Sequence, residues 1–399
     1  MSEVASVARA TGLSIQAWKP TIVRGVSYVP RGEPIDDSLA ERAWDYTHTV
    51  KARGGWWSAS FSFTGKQNEI EEWYERGLGR HIEVHNPTGK LIWAGFVDSV
   101  DIEVGTLSAT AGPLMETANR VSVVYTPILD TAPHLTGAQT VTVIADDAPS
   151  QDRYGILEEV LSGGELLDDG TTDDAAKYRD SYIADHRWPA TDERLSTSAK
   201  HEAKATLTAL GYVHLLQRYV VEQTSTGTCS ILVKMQDALA DDPNGLFSAD
   251  YTDMDPNAWL VSRNEEKNRN AWAVINEMIN LGDANDDPYT FGVYGGQRFH
   301  YKLVGDVPLY QHRLSQTIVR VEDYGRGTPI EPWDVPAGEW VFLPDFLAGR
   351  SQPRGMPIRT DHRYVFAEEV TYRVPYDVEI VGGRYAKLSQ WLAKKGLSA

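Results

Sequence analysis

The sequence predicts an α+β protein that is predominantly antiparallel β, with a more helical and acidic region in its middle. Three observations predict this. Apolar residues alternate with serine in Trp57–Phe63, the period of a strand with one buried face. The same period of two returns after Tyr289, and helical spacing is concentrated between the two β-rich parts. We therefore expect three domains: residues 1–145 (β-rich), 146–288 (acidic α+β) and 289–399 (β-rich with a C-terminal helix).

Length and composition bound the class of protein. The 399 residues, 42% hydrophobic and 10% aromatic, predict a globular chain of about two to four domains. No run of about eighteen apolar residues occurs, so no transmembrane helix is expected. The first residues also lack the basic and apolar segments of a signal peptide. The single cysteine, Cys229, is expected to be a small core residue in a chain made in a reducing cytoplasm.

The net negative charge of the chain comes from two segments. The net charge is −18; residues 146–193 hold 14 acids and 4 bases, and residues 241–287 hold 11 acids and 3 bases. The two segments account for the whole net charge, so the remainder of the chain is neutral. Without a basic footprint, ordinary DNA or RNA binding is not expected.

In the first domain, residues 56–126 are predicted to form strand, helix, hairpin and hairpin. Apolar residues at i, i+3, i+4 and i+8 give Gln67–Leu78 one buried helical face, and Gly77 and Gly79 are placed to end that helix. Alternation and turn residues predict the rest of this domain. The expected strands are Thr21–Tyr28, Trp44–Val50, 82–84, Leu91–Val104, Leu107–Ala111, Val121–Tyr125 and Thr140–Ile144, with a loop at Pro30–Asp37 and turns at Asn86–Gly89 and Gly105–Thr106.

The middle region is predicted to be α+β and more helical than the parts that flank it. A capping-box spacing at Ser262–Glu265 is expected to open its last helix, which buries Trp272, Ile275 and Ile279 and ends at Gly282. The other expected elements are helices at Tyr154–Leu161, Ala175–Trp188 and 231–239, an acidic loop at Leu167–Asp174 and a strand at 203–209.

The last region is predicted to be a second β domain closed by a helix. Its expected elements are a hairpin at 291–303 around Gly295 and Gly296, strands at Trp340–Leu343 and Arg363–Val374, and a helix at Arg384–Lys395. Ile92–Val97 and Val365–Val370 share an aliphatic-aromatic-Ala-x-x-Val pattern. So short a repeat has two possible explanations, chance similarity between strands or duplication of one β module.

No residue is predicted to be catalytic, cofactor-binding or metal-binding, and no cofactor is expected. His81 and His85 are four apart in a strand, which separates them by about 13 Å. One metal ion cannot bind both at that distance, so we interpret them as surface histidines. Asp283, Asn285 and Asp287 imitate a calcium loop, but Gly and Glu are missing at the positions that such a loop requires. We expect a solvated turn there.

The remaining candidates for chemistry have simple structural interpretations. Asp168, Asp169, Asp173 and Asp174 lie in a Gly/Thr loop without apolar neighbours to raise a carboxyl pKa, so we expect loop charges rather than glycosidase carboxylates. Nucleophile-elbow, phosphate-loop, zinc-protease and paired-cysteine motifs are absent from the sequence. The 12 Trp and 19 Tyr are expected mainly in cores and subunit interfaces rather than in sugar-stacking sites.

Six segments carry a resemblance to a known group of proteins: Ile92–Val97, Leu107–Leu114, Asn119–Tyr125, Leu246–Tyr251, Ala271–Ile275 and Gly338–Asp345. They resemble tailed-bacteriophage tail proteins, the tail-tip or baseplate hubs. The resemblance implies a structural virion protein with two β domains similar to the tail-tube subunit. In such hubs a trimer presents six modules to the hexameric tube. The β–middle–β order predicted above fits that plan.

The resemblance also implies where the protein acts and with what. We expect a homo-oligomer, with a trimer favoured, at the distal end of the tail of a virion assembled in the bacterial host. Its partners would be the tube, distal tail, tape-measure and fibre or tip proteins, with DNA only in transit through a channel. The acidic middle region is expected to face either that channel or the solvent.

Two other functions remain open. A receptor- or glycan-binding tail protein would need exposed aromatic side chains in a groove. A glycan-degrading tail enzyme would need a cleft with paired carboxylates. We expect no enzymatic activity.

Overall fold

The computed structural model describes residues 13–35, 39–131, 134–196, 202–223, 227–247, 253–262, 266–285, 287–305, 310–314, 319–323, 326, 329–342, 364–373 and 377–383. Within these ranges the protein is mostly antiparallel β with six α-helices. The predicted α+β class, predominantly antiparallel β, is therefore confirmed.

The strands are numbered in chain order. The first twelve are β1 Ser14–Val23, β2 Ser27–Pro34, β3 Ala43–Lys51, β4 Arg53–Gly65, β5 His81–His85, β6 Leu91–Val104, β7 Leu107–Ala111, β8 Arg120–Thr131, β9 His134–Thr136, β10 Thr140–Val141, β11 Ala145–Asp146 and β12 Glu158–Leu167. The others are β13 Thr191–Leu195, β14 Ala203–Leu210, β15 Val220–Gln223, β16 Thr228–Ser230, β17 Leu260–Ser262, β18 Glu266–Asn270, β19 Tyr289–Tyr294, β20 Arg298–Leu303, β21 Tyr310–Leu314, β22 Val319–Asp323, β23 Trp340–Phe342, β24 Tyr364–Arg373 and β25 Asp377–Gly383. The helices are α1 Leu39–Arg42, α2 Gln67–Arg76, α3 Ala148–Tyr154, α4 Asp174–His186, α5 Ile231–Ala240 and α6 Ala271–Leu281.

One large sheet connects strands from all parts of the chain. Its main order is β2-β1-β5-β6-β14-β4-β3-β24-β23-β21-β22. The middle-region strand β14 pairs antiparallel with β6 on one side and β4 on the other. Hydrogen bonding therefore does not follow the predicted boundary at residue 145, and the division into three domains stays a prediction. In the described part of the chain, no helix is long and apolar enough to cross a bilayer.

The main core lies between this sheet and α2 and includes the buried faces of α5 and α6. Ile70 and Trp73 on α2 are almost fully buried, and the rings of Trp73 and Phe63 meet edge to face at 5.7 Å. Trp93 on β6 has no exposed surface. The predicted helix at 67–78 and the predicted strand Leu91–Val104 are both confirmed, because their apolar residues lie on the buried face that their spacing indicated.

Two smaller clusters lie apart from the main core. Trp340, Val341 and Phe366 belong to one that joins β23 and β24. The other lies where α4 covers β8 and β12, which run parallel to each other. The predicted helix at 175–188 corresponds to α4, and the strands predicted at 340–343 and 363–374 correspond to β23 and β24. The helix predicted at Arg384–Lys395 lies outside the described residues.

The prediction of one strand over Thr21–Tyr28 is wrong. The chain turns after Val23, whose carbonyl accepts a hydrogen bond from Val26 at 2.9 Å, and Gly25 has a φ of +67°. The turn makes β1 and β2 an antiparallel hairpin, so the predicted loop at Pro30–Asp37 is strand as far as Pro34. Proline is tolerated because β2 is the terminal strand of the sheet.

Two helix predictions in the middle region are also wrong, one for the whole element and one for its start. Tyr154 ends α3, Gly155 follows with a φ of +79°, and the residues predicted to be helical enter the strand β12. The helix predicted to open at Ser262–Glu265 begins at Ala271, where the side chain of Asn270 accepts the cap hydrogen bond from Ala273. The first segment is held extended by side chains that are distant in sequence, and the second helix begins where its own cap lies.

Candidate functional site

The two histidines predicted to lie at the surface belong to a buried polar network. The side chain of His81 is 1% exposed and that of His85 is 16% exposed. They project from β5 on the same side as Glu83. The prediction of surface histidines is wrong because β5 is an interior strand, flanked by β1 and β6, and Tyr212 covers this side from another part of the chain.

Glu83 is the centre of this network. Its Oε1 accepts a hydrogen bond from His81 Nε2 at 3.0 Å, and its Oε2 lies 3.4 Å from His85 Nε2. The guanidinium of Arg31 on β2 donates to both oxygens. Burial raises the pKa of Glu83, but the bonds from His81 and Arg31 outweigh burial and hold that pKa at about 2. Glu83 is therefore a buried carboxylate that stays charged at neutral pH.

The network connects β5 to three other elements. His81 Nδ1 lies 2.8 Å from the hydroxyl of Tyr212, in a 3₁₀ turn at Tyr212–Gln217, and 3.1 Å from the carbonyl oxygen of Gly95 on β6. Arg31 connects the β1–β2 hairpin to Glu83 on β5. Both oxygens of Glu83 are engaged by protein groups, so this arrangement fixes the hairpin against the sheet rather than presenting a free carboxylate to a substrate.

The turn that imitates a calcium loop is held by its own backbone. Asp283 Oδ1 accepts hydrogen bonds from the N–H groups of Asn285 at 2.8 Å and Asp287 at 2.9 Å. This confirms the predicted turn between α6 and β19. Within the described ranges, no group of three or more His, Cys, Asp or Glu side chains is arranged to hold a metal ion. The expectation that no residue is metal-binding stays a prediction.

The aspartates predicted as loop charges each have a local role. Asp168 accepts a hydrogen bond from the Tyr125 hydroxyl at 2.8 Å, and Asp173 caps α4 through the N–H of Ala176. Asp169 closes the turn that follows it, and Asp174 pairs with Lys177 at 3.0 Å. These contacts give each carboxylate a structural partner, and the expectation that none of the four is catalytic stays a prediction.

Most of the large aromatic side chains that the structure describes lie in cores, as predicted. Trp73, Trp93 and Trp340 are among the largest fully buried side chains. Cys229 is buried, which confirms its interpretation as a core residue. Two tryptophans differ: Trp188 is 42% exposed and Trp259 is 44% exposed. Trp259 also borders a shallow groove of about 430 Å³.

A junction joins the first and last β-rich parts of the chain. β3 pairs antiparallel with β24 over the register from Lys51 opposite Glu369 to Thr47 opposite Arg373. The hydroxyls of Thr49 and Thr371 lie 3.0 Å apart across it. These parts, more than 300 residues apart in sequence, form neighbouring strands of one sheet.

A neutral histidine lies inside this junction. His48 is 3% exposed, its Nδ1 lies 2.9 Å from the hydroxyl of Tyr46, and its ring centre lies 5.4 Å from that of Tyr372. Burial lowers the pKa of His48 to about 3. Protonation of His48 would place an unpaired charge between the two β-rich parts.

Exposed aliphatic side chains are concentrated at two places. The first is the β1–β2 hairpin, with Val23, Val26 and Val29 between 46% and 70% exposed. The second is the small sheet around β8, whose exposed members are Leu129, Leu135, Val141, Val143 and Ile144. Clustered exposed apolar groups of this kind mark surfaces that bind other proteins. The described surface therefore offers candidate assembly contacts at two separate places.

Sequence reasoning missed the Glu83 network and the β3–β24 junction. The alternation of His81, Glu83 and His85 with apolar residues did signal one polar face on β5. It could not identify Arg31 and Tyr212 as partners, because both come from elements that pair or pack at long sequence separation.

No family model matches the chain, and no curated protein matches it. One similar solved structure is a tail protein from Neisseria meningitidis MC58, with 8% sequence identity and a TM-score of 0.39; the match covers 91% of this chain and 92% of that protein. Another is prophage tail protein gp18 from Listeria monocytogenes EGD-e, with 7% sequence identity and a TM-score of 0.38; the match covers 96% of this chain and 98% of that protein. Both TM-scores are too low to establish a shared fold.

Proposed function

We propose that this chain is a structural protein of a bacteriophage tail, a hub at the tail tip that joins the tube to the distal tip or fibre proteins around a DNA channel. The observation that carries the proposal is the antiparallel pairing of β3 with β24. A hub that contributes two β modules to one ring must hold its first and last modules edge to edge. The pairing brings the first and last β-rich parts of this chain into that relationship.

Two surface features support assembly with other chains. The exposed aliphatic groups of the β1–β2 hairpin and of the small sheet lie on different elements, so one copy could contact more than one neighbour. The terminal strand β2 contains Pro30 and Pro34, which lack backbone N–H donors, so uncontrolled strand addition at this edge is disfavoured. Contacts at this end would be made by side chains. Self-association as a trimer, and contact with tube, distal tail, tape-measure and fibre proteins, are parts of the proposal.

The location can be tested on virions that carry an epitope tag in this chain. The turn at Gly105–Thr106 is a suitable position, because a side chain on Gly105 would meet no atom within 4 Å. Gold-labelled antibody is expected at the end of the tail remote from the head in negative-stain images. Label along the tail shaft or on the head would contradict the proposal, and untagged virions provide the control.

A receptor- or glycan-binding role is the second candidate, favoured by one observation. Trp259 is half-exposed beside a groove that also contains Pro256 and Leu260, and an exposed aromatic ring can stack on a sugar. If this role holds, Trp259→Ala virions should assemble normally and adsorb poorly. Normal adsorption of those virions would remove this candidate.

A further inference from the structure

A cleft lies beside the β1–β2 hairpin, where the C-terminal ends of α2 and α3 approach it. Its volume is about 700 Å³, within the usual range for sites that hold a ligand or a short peptide segment. Ile22, Ile35 and Leu78 provide apolar surface in the cleft. We name it the cationic cleft, for the basic side chains that also line it: Lys19, Arg76, Arg80 and Arg153.

The charges of the cationic cleft are not balanced within the described part of the chain. Arg80 pairs with Glu72 at 3.0 Å, and Asp152 lies 3.8 Å from Arg24. Lys19 and Arg76 make no ion pair with any described side chain, and Glu33, the third acid among the lining residues, lies opposite Lys19 in the pairing of β1 with β2. Four bases against three acids leave the lining with an excess of one positive charge in a chain whose net charge is −18, and this excess favours an anionic occupant.

The same chain carries an acidic segment with suitable charge, residues 168–174, which we name the acidic loop. It contains Asp168, Asp169, Asp173 and Asp174. Asp169 Oδ1 accepts hydrogen bonds from the N–H groups of Thr171 at 2.9 Å and Thr172 at 2.8 Å, and a bridge between Asp168 and Asp173 closes the loop. Because the loop is already ordered, docking it would cost little conformational entropy.

The acidic loop and the cationic cleft of one copy are held apart. The loop follows β12, a strand of 10 residues that begins four residues after the end of α3. At about 3.3 Å per residue, β12 carries the loop roughly 30 Å from the helix that lines the cleft. No residue of the acidic loop is among those that line the cleft of the same copy, so the docked loop would come from a second molecule.

We propose that the acidic loop of one copy docks into the cationic cleft of a second copy of this chain. The inference rests on the proposed oligomeric hub and deepens it by naming the two surfaces that meet. Because the two surfaces differ, the contact is heterologous, and repeated copies close into a ring when the rotation between them permits. Charge attraction sets the orientation, and the apolar part of the cleft excludes water around the ion pairs.

A double-mutant cycle on the full chain tests this contact. The cleft variant is Lys19→Gln with Arg76→Gln. The loop variant is Asp168→Asn with Asp169→Asn and Asp173→Asn, because asparagine keeps the oxygen acceptors that hold the loop. Each variant should weaken self-association in sedimentation equilibrium by about tenfold, and their combination should be no weaker than either alone. Additive losses, or no loss in either variant, would overturn the docking.

A matched control and a measurement on the unaltered chain complete the test. Asp283→Asn removes a charge from a similar turn in the other acidic segment and should leave association unchanged. In oligomers mixed from light and heavy-isotope copies, carbodiimide coupling should link Lys19 to an acidic-loop carboxylate between copies. An oligomer without that link, and with variants that associate normally, would overturn the docking and leave the hub proposal standing. A wild-type chain that stays single at every concentration would overturn both.

Discussion

The side chain of Asn119 holds Leu157 in an extended conformation. Asn119 Oδ1 accepts a hydrogen bond from the N–H of Leu157 at 2.8 Å, and its Nδ2 donates to the carbonyl oxygen of Gly155, also at 2.8 Å. Asn244 makes an equivalent pair of bonds to both backbone polar groups of Ile156. Two buried amides thus replace the hydrogen bonds that a helix would have made, and the chain passes from α3 into β12.

Replacing Asn119 should destabilise the fold substantially. Asn119→Ala leaves the N–H of Leu157 and the carbonyl of Gly155 buried without their partner, which should lower the free energy of unfolding by about 3 kcal/mol. Urea unfolding followed by circular dichroism measures this change. Asn276→Ala, which removes one side-chain bond at a half-buried position of α6, should cost only about 1 kcal/mol. Equal unfolding midpoints for the two variants would contradict the role given to Asn119.

Two buried tryptophans should be needed for folding rather than for binding. Trp93 and Trp340 are 0% and 2% exposed, so Trp93→Ala and Trp340→Ala should each lower the free energy of unfolding by about 3–5 kcal/mol. Trp259→Ala, at a half-exposed position, is the matched control and should leave the melting temperature almost unchanged. Unchanged melting of the Trp93→Ala or Trp340→Ala chain, with loss of host binding, would favour the receptor-binding role.

Acid should weaken the β3–β24 junction through His48. Its pKa is about 3 in the folded chain and about 6.5 when unfolded, so the unfolded chain binds the extra proton between these values. The stability that neutral His48 contributes is therefore fully present above about pH 6.5 and is lost as the pH falls toward 3.

A comparison of the wild-type chain with the His48→Phe variant isolates the contribution of His48 to the pH dependence of stability. Relative to His48→Phe, the wild-type chain should lose about 2 kcal/mol of unfolding free energy between about pH 7 and pH 5. Urea unfolding at several pH values measures the loss, and the other histidines are common to both chains. Parallel pH profiles would show that His48 is not buried as a neutral group.

The Glu83 network should lose its stabilising effect at lower pH than His48 does. The pKa of Glu83 is about 2 when folded, against its usual value of 4.5, so its contribution is present above pH 4.5 and declines as the pH falls toward 2. Glu83→Gln should melt at a lower temperature than the wild-type chain at neutral pH. The difference should shrink through this acid range. A difference that stays constant with pH would contradict a charged Glu83 bound by Arg31.

Local patterns predicted the elements whose own residues decide their structure. Leu91–Val104 alternates cleanly, and the strand has the predicted bounds. The strand predicted at 203–209 is present as Ala203–Leu210, but its position between β6 and β4 was not predicted. Register and neighbours depend on pairing between distant segments, which the period of one strand does not contain.

The errors came from partners that are distant in sequence. Tyr154–Leu161 has helical spacing, yet amides 38 and 88 residues away along the chain hold its backbone extended. The prediction that His81 lies at the surface fails because the residue that covers it, Tyr212, comes 131 residues later. The Glu83 network was not predicted because its partners Arg31 and Tyr212 are also distant in sequence.

A reconstruction of the tail tip by electron cryomicroscopy tests the central claim most directly, because it gives the position and the number of copies together. We expect three copies in one ring at the distal end of the tube, with the β3–β24 junction of each copy joining two neighbouring β modules around the channel. A ring of six copies, or density for this chain only in fibres outside the channel, would contradict the hub.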